Sequence, residues 1–359
     1  QRPPQPPARG QHFAQTRVES EGASTYRVRL RPQLWALSQR TNYRLFQHAH
    51  CVDIVESLLD EWEIERDKRL DMDRYPVLEL RTQYGESDLA FITRLLEEAG
   101  ISFFFAAGDA KLILADRPQD ADARLQALPY IDDPSLHAVN TGEFATGVHI
   151  THRALTAAYA HRDHDFRRPG LDLTTRSEAA SEAEARWERF DYTPGGFLHE
   201  RNSGGETPHA DDKGPGRHDG DHGSARAELA QRRSRADKRL IESQSNVIDL
   251  APGRVFAISD HPHPAMADTL LALENRIERR DGEWRISTRA VPTQVAYHPP
   301  QSVSRPRIEA VQTAVVVGPE GGWAPRELAL IGERGVSLGP RVLRVDTAAI
   351  AAASLLLLG

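Results

Sequence analysis

The chain has 359 residues, with 45 Lys and Arg against 52 Asp and Glu and a formal net charge of -7. That balance excludes a general electrostatic drive toward nucleic acid, and no dense basic run supplies a local one. The single cysteine, Cys51, excludes an intrachain disulfide and fits a reducing compartment.

Residues 1–24 carry Pro, Gln, Arg and Ser with few large apolar groups, which predicts a disordered tail, and the first ten lack the apolar stretch of a secretory signal. From residue 25 the pattern changes. Tyr26, Val28 and Leu30 alternate with Arg27, Arg29 and Arg31, the period of a half-buried strand, and Pro32 ends it. Val52, Val55, Leu58, Leu59 and Trp62 then recur at helical spacing opposite Asp53, Glu56 and Asp60, so residues 51–62 predict an amphipathic helix with Cys51 in the core. Val77, Leu78 and Leu80 read as a short strand.

A second helix is delimited at both ends: Ser87 can cap it, Asp88 suits its first turn, Leu89, Ile92, Leu95 and Leu96 form its stripe, and Gly100 stops it. Both helices are expected to pack a core rather than a membrane or partner. Residues 101–105 and 112–114 predict buried strands. Between 130 and 192, short β-like runs such as 147–152 mix with charged loops. Residues 195–223 are dense in Gly, Pro, His and Asp and predict a flexible loop. Residues 225–244 are helix-prone but mostly charged. Candidate strands follow at 255–258, 270–273 and 284–289, with a turn at Asp281-Gly282. The apolar run 348–358 is about half a bilayer span and predicts a buried terminal helix. The expected class is mainly β with packed helices (α+β).

Seven stretches in order carry a resemblance: 26–35 (YRVRLRPQLW), Phe46-Gln47 with the helix after it, 83–88 (QYGESD), 94–105 (RLLEEAGISFFF), 164–169 (HDFRRP), 242–246 (ESQSN) and 304–317 (SRPRIEAVQTAVVV). Together they resemble the hub region of VgrG-type type VI secretion spikes, itself similar to the baseplate hub of contractile phages. The resemblance implies β-barrel-like hub domains that trimerise, dock on stacked secretion-tube rings and carry effectors. It places the hub at 25–299 and a linker with a truncated OB-fold start at 300–317. In that reading the protein is cytoplasmic, with release through type VI secretion, and needs no cofactor and no membrane.

Beyond the hub, 317–322 (VGPEGG), 324–327 (APRE) and 338–349 (LGPRVLRVDTAA) resemble the end of SPOUT-class small-subunit rRNA uridine-N3 methyltransferases. The resemblance implies a small α/β appendage over 318–359 with an S-adenosylmethionine pocket. By position its lining would be Gly318, Pro319, Glu320, Gly321, Gly322, Leu338, Gly339, Leu343, Arg344 and Thr347. Glycines there let the backbone approach a cofactor closely, and the loops follow parallel strands, where α/β ligand sites lie. Asp346 stands where that family usually has Glu. The string Val-Gly-Pro-Glu-Gly suits either parent, so the seam near Val317 is read as recombination or an assembly error in a truncated or chimeric product.

Two His/Asp groups have ligand-type side chains: His218-Asp219-Gly220-Asp221-His222, with His209 and Asp211, is read as a solvated loop, and His161 to Asp165 is likewise not taken as a metal site. No Gly-x-Ser-x-Gly elbow, His-Glu-x-x-His helix or P-loop occurs, and no catalytic residue is assigned. Three readings remain: a structural spike hub, a methyltransferase acting on rRNA through the C-terminal segment, and an effector module joined to a spike.

Overall fold

The computed structural model describes residues 11–20, 23–108, 110–134, 142–164, 170, 172–193, 220–280 and 283–307. Its first part runs β1 (Gln11–Ser20), β2 (Ala23–Arg31), β3 (Thr41–His50), α1 (Cys51–Glu61), β4 (Arg66–Arg69) and β5 (Val77–Ser87). It continues with α2 (Asp88–Ala99), β6 (Ser102–Phe105) and β7 (Leu112–Ala115). The second part holds β8 (Leu128–Pro129), β9 (Ala145–His152), β10 (Ala158–Asp163), β11 (Leu173–Arg176) and β12 (Glu188–Tyr192). Then come α3 (Gly220–Ser234), β13 (Arg239–Ser245), β14 (Val255–Phe256), β15 (Ile258–Ser259), β16 (Leu270–Arg280) and β17 (Glu283–Pro292). The class is mainly β with packed helices, as the sequence predicts.

The core of the first part is the meeting of α1 and α2. Val52, Val55, Leu58, Leu59 and Phe91 are fully buried, with Ile92, Leu95 and Leu96 at 1–2% exposure beside them. Cys51 lies in this cluster, as the helical spacing predicts. Both ends of α2 obey local rules. The Ser87 hydroxyl accepts from the Ala90 amide at 3.2 Å, and Gly100 closes the helix in the left-handed region at φ 75°. The antiparallel pair β3–β5 and the sheet β4-β7-β6 both contribute residues packed with this cluster, among them Phe46, Phe103 and Leu114.

In the second part, five strands lie in the order β14-β16-β17-β13-β9. The stretch containing β8 spans its two edges: Ala123 bridges Val255, β8 pairs in parallel with β15, and Tyr130 bridges Ala145 on β9. The sheet therefore curls into a barrel-like body around Leu128, Ile241, Phe256, Leu270 and Ala290. A three-stranded sheet, β11-β10-β12, carries α3 on it, and Gln231 of α3 donates to the Ala157 carbonyl at 2.5 Å and to that of Glu178.

Several expectations are corrected. Residues 11–20 are not tail but strand: β1 pairs antiparallel with β2, Ser20 opposite Ala23 and Gln11 opposite Arg31. Backbone pairing with a neighbour, rather than apolar content, makes this ribbon, so composition misses it. The loop expected at 195–223 loses its last residues to α3, which opens at Gly220 with Asp221 in its first turn, where the helix dipole favours a carboxylate. The helix-prone run 225–244 is divided: α3 ends at Ser234, and β13 takes 239–245 as the strand between β17 and β9, with Leu240 and Ile241 buried. The short strand at Val77 is eleven residues long because it has β3 to pair along. Residues 255–258 fall into two strands of different sheets.

Candidate functional site

All ten residues expected to line a cofactor pocket, Gly318, Pro319, Glu320, Gly321, Gly322, Leu338, Gly339, Leu343, Arg344 and Thr347, lie outside the described residues. So do His209, Asp211, His218 and Asp219, and the apolar run 348–358. Of the other His/Asp group, His161 and Asp163 are buried in β10, at 3% and 1% exposure. Among the described residues no set of three His, Cys, Asp or Glu side chains could hold a metal ion.

The quoted sequence stretches serve instead as ties. In 83–88, Gln83 donates to the Asp88 carboxylate at 2.8 Å and to the Glu86 carbonyl at 3.0 Å. Asp88, with no exposed surface, also accepts from Arg40 Nε at 2.5 Å and from Trp62 Nε1 at 3.1 Å. One buried carboxylate thus joins the residue before β3, the end of α1, β5 and the start of α2. In 242–246, Asn246 takes the Phe144 amide at 2.8 Å and gives to the Gly142 carbonyl at 2.8 Å, fixing the entry to β9.

The densest constellation sits at the C-terminus of α2, where three elements distant in sequence converge. Glu97 accepts from the Ser302 amide at 2.9 Å, the Val303 amide at 3.1 Å and the Ser302 hydroxyl. Glu98 accepts from Arg305 Nε at 2.8 Å and Nη2 at 3.0 Å, and stands 3.4 Å from Arg94 and 4.0 Å from Arg81. Arg94 in turn holds Glu86 at 2.8 and 2.7 Å. From α3, Arg233 donates to the Glu97 carbonyl. From the strap after β17, His298 Nδ1 meets the Gly100 carbonyl at 3.2 Å. Gly100 is required twice over, for its positive φ and because a Cβ would lie 2.6 Å from Leu229 of α3.

The electrostatics make this a clamp rather than a catalyst. Burial pushes the Glu98 carboxyl upward, but the charges of Arg305 and Arg81 with the Arg305 hydrogen bonds outweigh it and hold the group far below the usual carboxylate range. A carboxylate so held neither gives nor takes a proton near neutrality. Burial pushes the Cys51 thiol up to about 11, which removes it as a nucleophile. Burial likewise pushes Arg81, Arg233 and Arg226 down, Arg226 to about 10, where it still carries its charge at pH 7.

Residue-type patterns did not disclose Glu97, Glu98 and Arg305 as a clamp, yet one signal was present. Carboxylates in the last turn of a helix oppose its dipole, and two in succession there call for fixed cations nearby.

The family model described as phage tail baseplate hub (GPD) matches residues 11–281, and one described as RNA methyltransferase domain matches 286–357. The structure places the first residues of the second match in β17, paired to β13 and β16, so the hub sheet continues past the end of the first match. The type VI secretion system spike protein VgrG4b of Pseudomonas aeruginosa is 31% identical over 321 residues, covering 82% of this chain and 37% of that protein. VgrG3 of Vibrio cholerae is 25% identical over 317 residues, covering 82% and 28%. The chain therefore spans well under half the length of these curated relatives. Among solved structures, the E. coli c3393 protein, described as a type VI secretion component similar to the T4 tail proteins gp27 and gp5, superposes with a TM-score of 0.53 at 18% identity, covering 83% of this chain and 64% of that one. The 43 kDa tail protein of prophage MuSo2 from Shewanella oneidensis gives 0.51 at 10% identity, covering 79% of each chain.

Proposed function

The chain belongs to the phage tail baseplate hub family, and on that premise we propose that it serves as the hub portion of a type VI secretion spike, a structural part acting by assembly rather than catalysis. The observation that carries this reading is the hub match over 11–281, together with 31% identity to a spike protein across 82% of the chain. The ties of Asp88 and of Glu97-Glu98 support it, because they spend the buried charge of the fold on rigidity.

In this reading three copies associate, dock on the stacked secretion-tube rings, and carry effectors, in the cytoplasm until released through the secretion system. Among the described residues no helix is long and apolar enough to cross a membrane. Light scattering on the full chain tests the assembly. A mass of three chains, with retention of the tube-ring protein on a column bearing the chain, is expected. A monodisperse monomer that retains no ring protein sinks the proposal.

A second reading rests on the RNA methyltransferase match over 286–357. It is S-adenosylmethionine-dependent methyl transfer to N3 of a uridine in small-subunit rRNA, with Gly318, Pro319, Glu320, Gly321, Gly322, Leu338, Gly339, Leu343, Arg344 and Thr347 as the cofactor-binding set. Glycine-rich backbone of this kind suits close approach to a nucleoside cofactor. Isothermal titration with S-adenosylmethionine separates the two: micromolar binding abolished by Gly321→Val supports the enzyme reading, and silence beside a trimeric mass leaves the hub alone.

A further inference from the structure

A cleft of about 320 Å³ opens beside the clamp, between the end of α2, the β5 residue Arg81 and α3. Its interior carries Arg81, Glu98, Arg226 and His298, and Arg74 and Arg232 are also in its wall. The one carboxylate of the interior, Glu98, is already committed to Arg305, Arg94 and Arg81. Glu228 in the wall is taken by Arg232 at 3.1 Å. Arg226 feels the charge of Glu98, but its Nε is buried and meets no acceptor among the described residues.

His298 adds a second demand of opposite kind. The residue is 3% exposed, and its Nδ1 faces the Gly100 carbonyl, which can only accept, so Nδ1 carries the hydrogen. Burial lowers its basicity, keeping the ring neutral. Nε2 is then a lone pair, buried and meeting no donor among the described residues. A buried donor and a buried acceptor left unmade in one cleft each cost on the order of a lost hydrogen bond, which a ligand supplying both partners would recover.

We propose that this cleft binds a phosphate group that retains a hydroxyl, its anionic oxygens taken by Arg226 and the guanidiniums beside it and its P–OH donating to Nε2 of His298. A carboxylate or a sulfate satisfies the arginines but brings no hydrogen to the histidine near neutral pH. The site therefore distinguishes phosphate from sulfate by a single hydrogen bond, and arginine forks suit the tetrahedral oxyanion.

The test is calorimetric titration of the full chain at pH 7 with inorganic phosphate and with sulfate at matched ionic strength. Phosphate binding about tenfold tighter than sulfate is expected, with Arg226→Gln weakening phosphate by roughly tenfold or more. Arg232→Gln, at an exposed position that leaves folding intact, should weaken it several-fold. Equal affinity for the two anions in the parent, or phosphate binding unchanged in both variants, overturns the site. Glycerol phosphate as competitor assigns the source: displacement of inorganic phosphate points to a phosphoryl group on a larger molecule, failure to displace points to the free ion, and either result supports the site.

Discussion

The carboxylate of Glu98 and the guanidinium of Arg305 lie 207 residues apart in sequence and are joined by two hydrogen bonds of 2.8 and 3.0 Å. This pair ties the last described residues of the chain to the end of α2. Removing one partner of a buried ion pair strands the other charge. Glu98→Gln is therefore expected to destabilise the chain by about 3 kcal/mol, because Arg81 and Arg226 lose their counter-charge, whereas Arg305→Met should cost about 1 kcal/mol, since Arg94 and Arg81 remain. Urea denaturation of both and of the double variant checks this, and strict additivity of the two losses would contradict the coupling.

Acid should reveal two separate transitions in stability. Burial, and then the charge of Arg226, push His161 down to about 4, with Asp191 pulling upward and Arg305 downward. The unfolded imidazole titrates near about 6.5, so the unfolded chain binds the proton first, and stability falls as pH drops from about 6.5 to about 4 by up to about 3 kcal/mol. Glu98 acts lower. Its folded value is depressed, so its contribution is complete above an unfolded value of about 4.3 and is lost as pH falls below it. His161→Gln should reduce the fall in the first window, leaving the share of His298, whose basicity burial also lowers, and Glu98→Gln should reduce the fall in the second, beside that of Glu184, read from urea midpoints at pH 7, 5 and 3.5.

At Gly100, two penalties meet in one methyl group. Gly100→Ala forces a side chain at φ 75° and sets a Cβ 2.6 Å from Leu229 Cδ1. A loss of about 2 kcal/mol is expected, part conformational and part steric. Leu229→Ala in the same chain should return the steric part and leave about 1 kcal/mol. Thermal melts of the three variants decide it: no rescue by the second substitution would place α3 elsewhere.

Cys51 should behave as a closed thiol. It is 8% exposed and burial pushes it up to about 11, so under 1 mM of an aromatic disulfide reagent at pH 8 the native chain is expected to react at least about a hundredfold more slowly than in denaturant. Equal rates would mean the α1 N-terminus is open in solution.

Local chemistry was the legible part of this fold. The Ser87 cap, the left-handed Gly100 and the stripes of α1 and α2 follow from neighbours within a few residues, and the structure holds each of them. What distant pairing makes was hidden. Strand β1 exists because β2 lies alongside it, and Val77 begins a long strand because β3 does. The clamp belongs to the same class, since Glu97 meets Ser302 across 205 residues. The overall family was legible in spite of this, and stretches such as 83–88 and 94–105 that carry the resemblance also contain the side chains that make the ties.

The β8 stretch has a further consequence. By bridging Val255 at one edge and Ala145 at the other, it occupies hydrogen-bonding groups that an open five-stranded sheet would offer to any passing chain. For this five-stranded sheet, protection against edge-to-edge pairing is thus delegated to a few residues near Leu128. Loosening that stretch would leave backbone groups at both edges of this sheet open to pairing with another chain.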